Sequence, residues 1–123
     1  MTLADERRLI EETVTDFVES EVRPAAAAAD ETQTFPEDVW DGLAELDLTG
    51  LTVSEEYGGF DADQVTYSVV NEALARGDLS VARQWTESAV ATDRSPRASA
   101  CIEEFGTETH REEWLPSMAD GRP

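Results

Sequence analysis

Ile10-Glu11-Glu12-Thr13-Val14-Thr15-Asp16-Phe17-Val18-Glu19-Ser20-Glu21-Val22 decides how the chain is read. Its apolar residues, Ile10, Val14, Phe17, Val18 and Val22, fall at i, i+4, i+7, i+8 and i+12. At 3.6 residues per turn that spacing puts them on one side of a helix. Glu11, Glu12, Asp16, Glu19 and Glu21 occupy the other side, so the segment is an amphipathic helix, expected over residues 4–22. It is expected to end near Arg23, because Pro24 disfavours helical geometry in the residue before it. Pro24 then opens a short turn through the alanine run 25–29, a packing surface or spacer.

The same punctuation recurs outward from this helix. Phe35-Pro36 places proline at the first position of a second helix, with Glu37 and Asp38 in its first turn and Val39, Trp40, Leu43 and Leu46 on its apolar face. Leu48-Thr49-Gly50-Leu51-Thr52-Val53 is apolar and contains a turn, and it leads to a sharp reversal at Gly58-Gly59. Asp61 or Asp63 can cap a third helix carrying Tyr67, Val70, Ala73 and Leu74, which stops at Arg76-Gly77. Asp78 offers a cap for a fourth. From Ala82 to Ser99 the pattern decays, interrupted by Arg83, Gln84, Thr86, Glu87, Asp93, Arg94, Ser95 and Arg97 and broken at Pro96. Helical order resumes at Ala98–Phe105, Gly106 closes it, and Thr107 caps a last helix bearing Trp114, Leu115 and Met118. No alternating strand pattern of useful length occurs. The expected fold is all-α, a single domain over residues 1–123 built as a helical bundle of five or six helices with short connections.

Length and charge narrow the function classes. A chain of 123 residues can bury roughly two-thirds of its unfolded surface without disulfides or metal. Twenty-eight Asp and Glu face nine Arg and no Lys, for a net charge of -19. Such a surface repels polyanions, so nucleic acid and anionic membranes are poor partners. It is at home where salt is concentrated, because screening shortens to about 3 Å at 1 M ionic strength, and a salt-adapted source is expected, with an ordinary acidic cytosolic protein as the alternative. The single cysteine, Cys101, forbids an internal disulfide and fits a reducing compartment. Beside Ile102 it reads as a buried structural thiol. Met1-Thr2-Leu3-Ala4-Asp5-Glu6 is acidic and not a signal peptide, and no run approaches the ~20 apolar residues of a membrane span. A soluble cytoplasmic protein is expected.

Chemistry is sparse. The one histidine, His110, lies in the first turn of a polar helix start without an elbow serine to serve, and reads as a solvated surface residue. Ligands at metal-binding spacing are absent. Glu11-Glu12, Glu55-Glu56, Glu103-Glu104 and Glu112-Glu113 are sequence neighbours, and helical neighbours point about 100° apart, so they form a solvated face and not an acid–base pair. The Gly58-Gly59 reversal lacks the spaced glycines and lysine of a phosphate loop. An acidic helical carrier protein is the small-protein alternative. Its serine directly follows an aspartate, whereas Gly77-Asp78-Leu79-Ser80 has the order wrong.

Read in order, several segments resemble the start of acyl-CoA dehydrogenases. They are Glu21-Val22-Arg23-Pro24, Phe35-Pro36-Glu37-Asp38-Val39-Trp40, Leu43-Ala44-Glu45-Leu46, Gly50 through Gly59, Glu72-Ala73-Leu74-Ala75-Arg76, and Phe105-Gly106-Thr107-Glu108 followed by Trp114-Leu115-Pro116. The resemblance implies a three-part enzyme: this helical domain, a middle β-domain and a C-terminal helical bundle. It implies FAD as cofactor, an acyl-CoA thioester as substrate, and an electron-transfer flavoprotein that reoxidises the flavin. A glutamate base, in most members from the C-terminal bundle, takes the α-proton while the β-hydrogen leaves as hydride to the flavin. Those elements lie beyond the segments matched, so no catalytic, cofactor-binding or metal residue is expected in this chain, and its substrate-binding residues are left open. Alone it is expected to be inactive, a truncated or split family member. A non-catalytic module that pairs with a separately encoded remainder is the alternative, and a homo-oligomer is compatible with either. Three departures from the family pattern stand out. Asp47 replaces a turn glycine. His110 replaces the glutamine of a capping box and is expected to weaken that helix start. The polar stretch Arg83–Ser99 replaces the apolar helix that lines the acyl pocket, as an insertion or a frameshift product.

Overall fold

The computed structural model describes residues 1–87 and 96–121, and all regular structure among them is helical. The first helix, α1 (Leu3–Phe17), opens on a capping box in which the Thr2 hydroxyl accepts from the Asp5 N–H and the Asp5 carboxylate accepts from the Thr2 N–H. It does not end before Pro24. It widens into a π turn over Val18–Val22 and continues as α2 (Arg23–Thr32), with Arg23 itself helical at φ -58, ψ -45. The Arg23 N–H reaches back to the Val18 carbonyl, one residue further than in an α-helix. The expected break at Arg23 is therefore corrected. Proline lacks an N–H and its ring crowds the carbonyl four residues earlier; the looser π turn absorbs both defects, so the rod runs on. Val14, Val18 and Val22 are buried along it, flanked by half-buried Ile10 and Phe17.

Helix α3 (Glu37–Glu45) starts one residue later than expected, with Pro36 as its extended cap, and buries Val39, Trp40 and Leu43. Asp47 then takes left-handed geometry at φ 61, the conformation that the turn demands and that Asp tolerates better than most residues. Two single-turn 3-10 segments follow, Leu48–Gly50 and Glu55–Tyr57, and Gly58 makes the reversal at φ 90. Three main-chain bonds tie this loop to itself: Phe60 to Gly50, Asp61 to Val53 and Ala62 to Leu51, at 2.8–2.9 Å.

Asp63, not Asp61, caps α4 (Gln64–Gly77), accepting from the Thr66 N–H and hydroxyl. Gly77 ends this helix without a left-handed turn. Its missing side chain serves another purpose, since a Cβ there would sit 2.4 Å from Cγ1 of buried Val18. Helix α5 (Leu79–Glu87) follows at once, and Asp78 caps it through the Val81 N–H. Ordered helix thus extends well into the stretch whose pattern decays in sequence. Val81, Ala82 and Trp85 are buried there despite the polar residues between them. Trp85 is the pin of this layer. It stacks on Tyr67 with ring centroids 4.9 Å apart and donates from Nε1 to the Leu48 carbonyl at 2.9 Å. Residues 88–95, which hold Arg94 and Ser95 of the suspected insertion, lie outside the described residues.

Pro96 is the first residue of α6 (Pro96–Phe105) and so opens a helix. Helix α7 (Glu108–Ala119) packs against α6 and returns to the loop after α3. Trp40 Nε1 donates to the Gly121 carbonyl and Thr49 Oγ1 to the Ala119 carbonyl, joining the first half of the chain to its last described turn. The expected weakening at His110 is also corrected. The Thr107 hydroxyl accepts from the His110 N–H, and His110 Nδ1 accepts from the Thr107 N–H, so the capping box is complete with an imidazole in place of an amide.

Two apolar cores result. The larger joins α1, the π turn, α3, α4 and α5; the smaller is Val53, Leu115 and Ala119, with Tyr57 and Ile102 packed on it. If α1, the π turn and α2 count as one rod, the described residues form six helices, at the upper end of the sequence expectation.

Candidate functional site

The site that the structure builds most completely is an apolar groove of about 180 Å³ between α1 and the loop after α3. Leu9, Ile10, Thr13 and Val14 form one wall by virtue of the same helical spacing that makes α1 amphipathic. Leu46, Asp47, Leu48 and Leu51 form the other, and Phe60 closes the rim. The loop is held rigidly. Phe60 is fixed by its bond to Gly50, and Leu48 by the indole of Trp85. Leu9 at 47% and Phe60 at 51% exposure present apolar surface to solvent on a molecule whose outer face is otherwise dominated by carboxylates. Asp47 is the ionisable group in the lining. The rest of the lining is apolar save the Thr13 hydroxyl. The groove can take up a small apolar group.

One wall of the groove is braced by an ion pair. Arg7 of α1 meets Asp63 at the cap of α4, where the guanidinium, with Thr66 main-chain and hydroxyl donors, pulls the Asp63 carboxyl down to about 2. Elsewhere the arginines are committed similarly. Arg8 pairs with Asp5, Arg23 with Glu19, Arg76 with Glu72, and Arg111 Nε donates to the Glu103 carbonyl. The Arg8, Arg23 and Arg76 pairs are solvent-exposed and contribute little individually.

The residues singled out from sequence do not converge. His110 is exposed and serves as a helix cap. Cys101 is exposed, which corrects the expected buried thiol: helical neighbours point about 100° apart, and on α6 it is the Ile102 side chain that reaches the smaller core. Asp78 is a cap and Ser80 is exposed, so Gly77-Asp78-Leu79-Ser80 is a helix junction. Glu11, Glu12, Glu55, Glu56, Glu112 and Glu113 are exposed as the solvated-face reading requires. Glu103 departs from it. It is half-buried, and that burial, with Asp61 and Glu56 adding repulsion, raises its pKa. Trp114, expected in the apolar face of α7, is 41% exposed, while Leu115 and Met118 are buried. Phe105, the last residue of α6, is 81% exposed.

Among the described residues no group of three or more His, Cys, Asp or Glu is placed to hold a metal ion, and no helix is long and apolar enough to cross a membrane. The groove and Glu103 escaped the sequence reading because both depend on loop residues brought back to a helix. The signal was faint: a Leu9 and a Phe60 out of phase with any buried face.

Comparison with known proteins gives these surfaces a context. Residues 4–122 match the family model described as acyl-CoA dehydrogenase, N-terminal domain. The short-chain-specific acyl-CoA dehydrogenase of Clostridium acetobutylicum is 29% identical over 119 residues, covering 97% of this chain and 30% of that protein. A probable acyl-CoA dehydrogenase of Bacillus subtilis, YngJ, is 31% identical with the same coverage. Among solved structures, butyryl-CoA dehydrogenase from Megasphaera elsdenii superposes with a TM-score of 0.77 at 27% identity, over 98% of this chain and 31% of that one. A chain from a structure described as the electron transferring flavoprotein of Acidaminococcus fermentans shares the fold, with a TM-score of 0.79 at 21% identity over 98% of this chain and 30% of that one. The chain spans about 30% of the length of these relatives.

Proposed function

This chain belongs to the acyl-CoA dehydrogenase family through its N-terminal domain, and from that we propose that it serves as the helical first domain of an FAD-dependent acyl-CoA dehydrogenase. The observation that carries the reading is the match of residues 4–122 to that domain, over a chain about a third as long as the relatives. The family reaction removes hydrogens from the α and β carbons of an acyl-CoA, and it needs a flavin, a base and a polarised thioester carbonyl. This domain supplies packing surface for that machinery. Phe105 of α6 and Trp114 of α7 are exposed apolar side chains open to such packing.

Among the described residues, Arg7, Arg8, Arg23 and Arg76 are paired with carboxylates and the groove is apolar, so neither fits a flavin diphosphate. The flavin and the base are supplied by the β-domain and C-terminal bundle, and the chain alone is inactive. Purified alone, it should show no flavin absorbance and no acyl-CoA-dependent reduction of an electron acceptor. Either signal overturns the assignment. Co-purification with a polypeptide carrying the β-domain supports the split arrangement.

The groove favours one refinement. Its rigid apolar walls and exposed rim suit a single aliphatic side chain from a partner protein, and the electron-transfer flavoprotein is the partner that the family implies. A charge placed in the groove, Leu9→Glu, should weaken association of the reconstituted enzyme with that partner while leaving acyl-CoA binding intact. The composition adds a setting: a cytoplasm rich in salt, where the carboxylate surface is screened. Full helicity at low ionic strength by circular dichroism would sink that last point.

A further inference from the structure

Among the described residues the larger core takes no side chain from α6 or α7. Those two helices serve the smaller core instead, through Ile102, Leu115 and Ala119 against Val53 and Tyr57 of the loop. They are also braced to each other. Gly106 turns between them with its N–H on the Ile102 carbonyl at 2.8 Å, the Thr107–His110 capping box closes the start of α7, and Arg111 Nε reaches back to the Glu103 carbonyl at 2.9 Å. The pair meets the rest of the domain along α5, where α6 lies and buries Ser99, and along the two 3-10 turns, where α7 lies.

At the end of α7 the chain enters a slot. Ala119, Asp120 and Gly121 run past α3 and the Leu48–Gly50 turn, and two side chains there grip their main chain. Thr49 Oγ1 donates to the Ala119 carbonyl at 2.8 Å, and Trp40 Nε1 donates to the Gly121 carbonyl at 3.1 Å. A helix leaves its last carbonyls without intrahelical donors, and here α3 and the turn supply two from 81 and 70 positions away. The fit is close. A Cβ on Gly50 would stand 3.0 Å from the Ala119 carbonyl oxygen, and one on Gly121, whose φ is 77, would stand 2.8 Å from the Ala44 Cβ. Trp40 and Thr49 are themselves buried, so both donors are held in place.

We propose that α6 and α7 form a unit that opens separately from the rest of the domain, and that Ala119–Gly121 is the strap that holds it shut, clasped by Thr49 and Trp40. Domains open locally in contiguous cooperative units at less cost than global unfolding. A helix pair with its own small core and its own bracing is such a unit, because its departure leaves every side chain of the larger core in place. Release of the strap breaks the two side-chain bonds to its carbonyls, and so the clasp sets how often the pair opens. The device is independent of whether the chain works in a dehydrogenase.

Native-state amide hydrogen exchange on the full chain in molar sodium chloride, with small additions of denaturant, tests it. The protected amides of α6 and α7 should exchange through one shared opening, faster than the slowest amides of α1 and α4. Val70→Ala, which weakens the larger core, should speed the slowest α1 and α4 amides and leave α6 and α7 unchanged, because the larger core stays packed when the pair opens. Thr49→Val keeps the side-chain shape and removes the donor, and should speed α6 and α7 exchange by roughly 2- to 12-fold, the loss of one hydrogen bond. Gly121→Ala should act in the same direction by a second route, since it strains the strap and leaves Thr49 intact. Exchange of α6 and α7 at the same rate as the slowest α1 and α4 amides, or an equal response of all four helices to Val70→Ala, overturns the separate unit. An unaltered α7 in both Thr49→Val and Gly121→Ala overturns the strap.

Discussion

Trp85→Ala is the perturbation that most directly tests how this fold is held. The indole is completely buried, stacks on Tyr67, and donates to the carbonyl of Leu48, itself 4% exposed. Truncation removes a large apolar body and leaves a cavity, worth about 3–5 kcal/mol for Trp→Ala in a core. It also removes one of the two donors to the Leu48 carbonyl, which keeps the Leu51 N–H at 3.3 Å. A domain of 123 residues unfolds with an entropy of about 0.26 kcal/mol per kelvin near its midpoint, which converts the loss to roughly 12–19 °C. Trp85→Phe separates the two contributions. It keeps most of the packing and loses one hydrogen bond to a carbonyl that retains the Leu51 donor, at about 0.5–1.5 kcal/mol, or roughly 2–6 °C. Thermal unfolding followed by far-UV circular dichroism in molar salt measures both. A fall below about 4 °C for Trp85→Ala would refute the idea that this side chain pins α5 to the loop after α3.

Three further outcomes follow from local geometry. Gly77→Ala should destabilise by about 1–3 kcal/mol, because its Cβ meets the buried Val18, and Val18→Ala should restore most of that loss in denaturant titrations of the double variant. Asp63→Asn should lower stability at neutral pH. Because the folded carboxyl is depressed from 3.8 to about 2, its contribution is full above the ordinary range and lost as pH falls through that window, so the wild type and variant should converge there in acid unfolding curves. Thr107→Ala should cost about 1 kcal/mol by removing the α7 cap, whereas His110→Gln should be nearly neutral, since either side chain can accept from the Thr107 N–H.

Most of the helical plan was legible because caps and apolar spacing are local. Thr107, Asp63 and Asp78 announce helix starts, and the face from Ile10 to Val22 is written in a single period. The reading failed where two local rules competed. Pro24 signals a break, but a π turn satisfies the same constraint without one. Gly77 signals a left-handed stop, but it is needed for contact with Val18. Trp85 was hidden because polar neighbours on α5 dilute its stripe, although Val81, Ala82 and Trp85 keep helical spacing. The groove was beyond reach for a different reason. It joins α1 to Phe60, about fifty positions away, through loop bonds that no sequence period encodes.

The π turn also has a consequence for register. A turn closed five residues apart holds one residue more than an α turn, so the surplus residue is taken up where it stands. Deleting a single residue from Val18–Val22 should close the turn to ordinary α geometry and leave Arg23–Thr32 facing much as it does now, with Ala25, Ala26 and Ala29 still against the body. The same deletion within Leu3–Phe17 meets no such slack and turns the two parts of the rod by about 100° relative to each other.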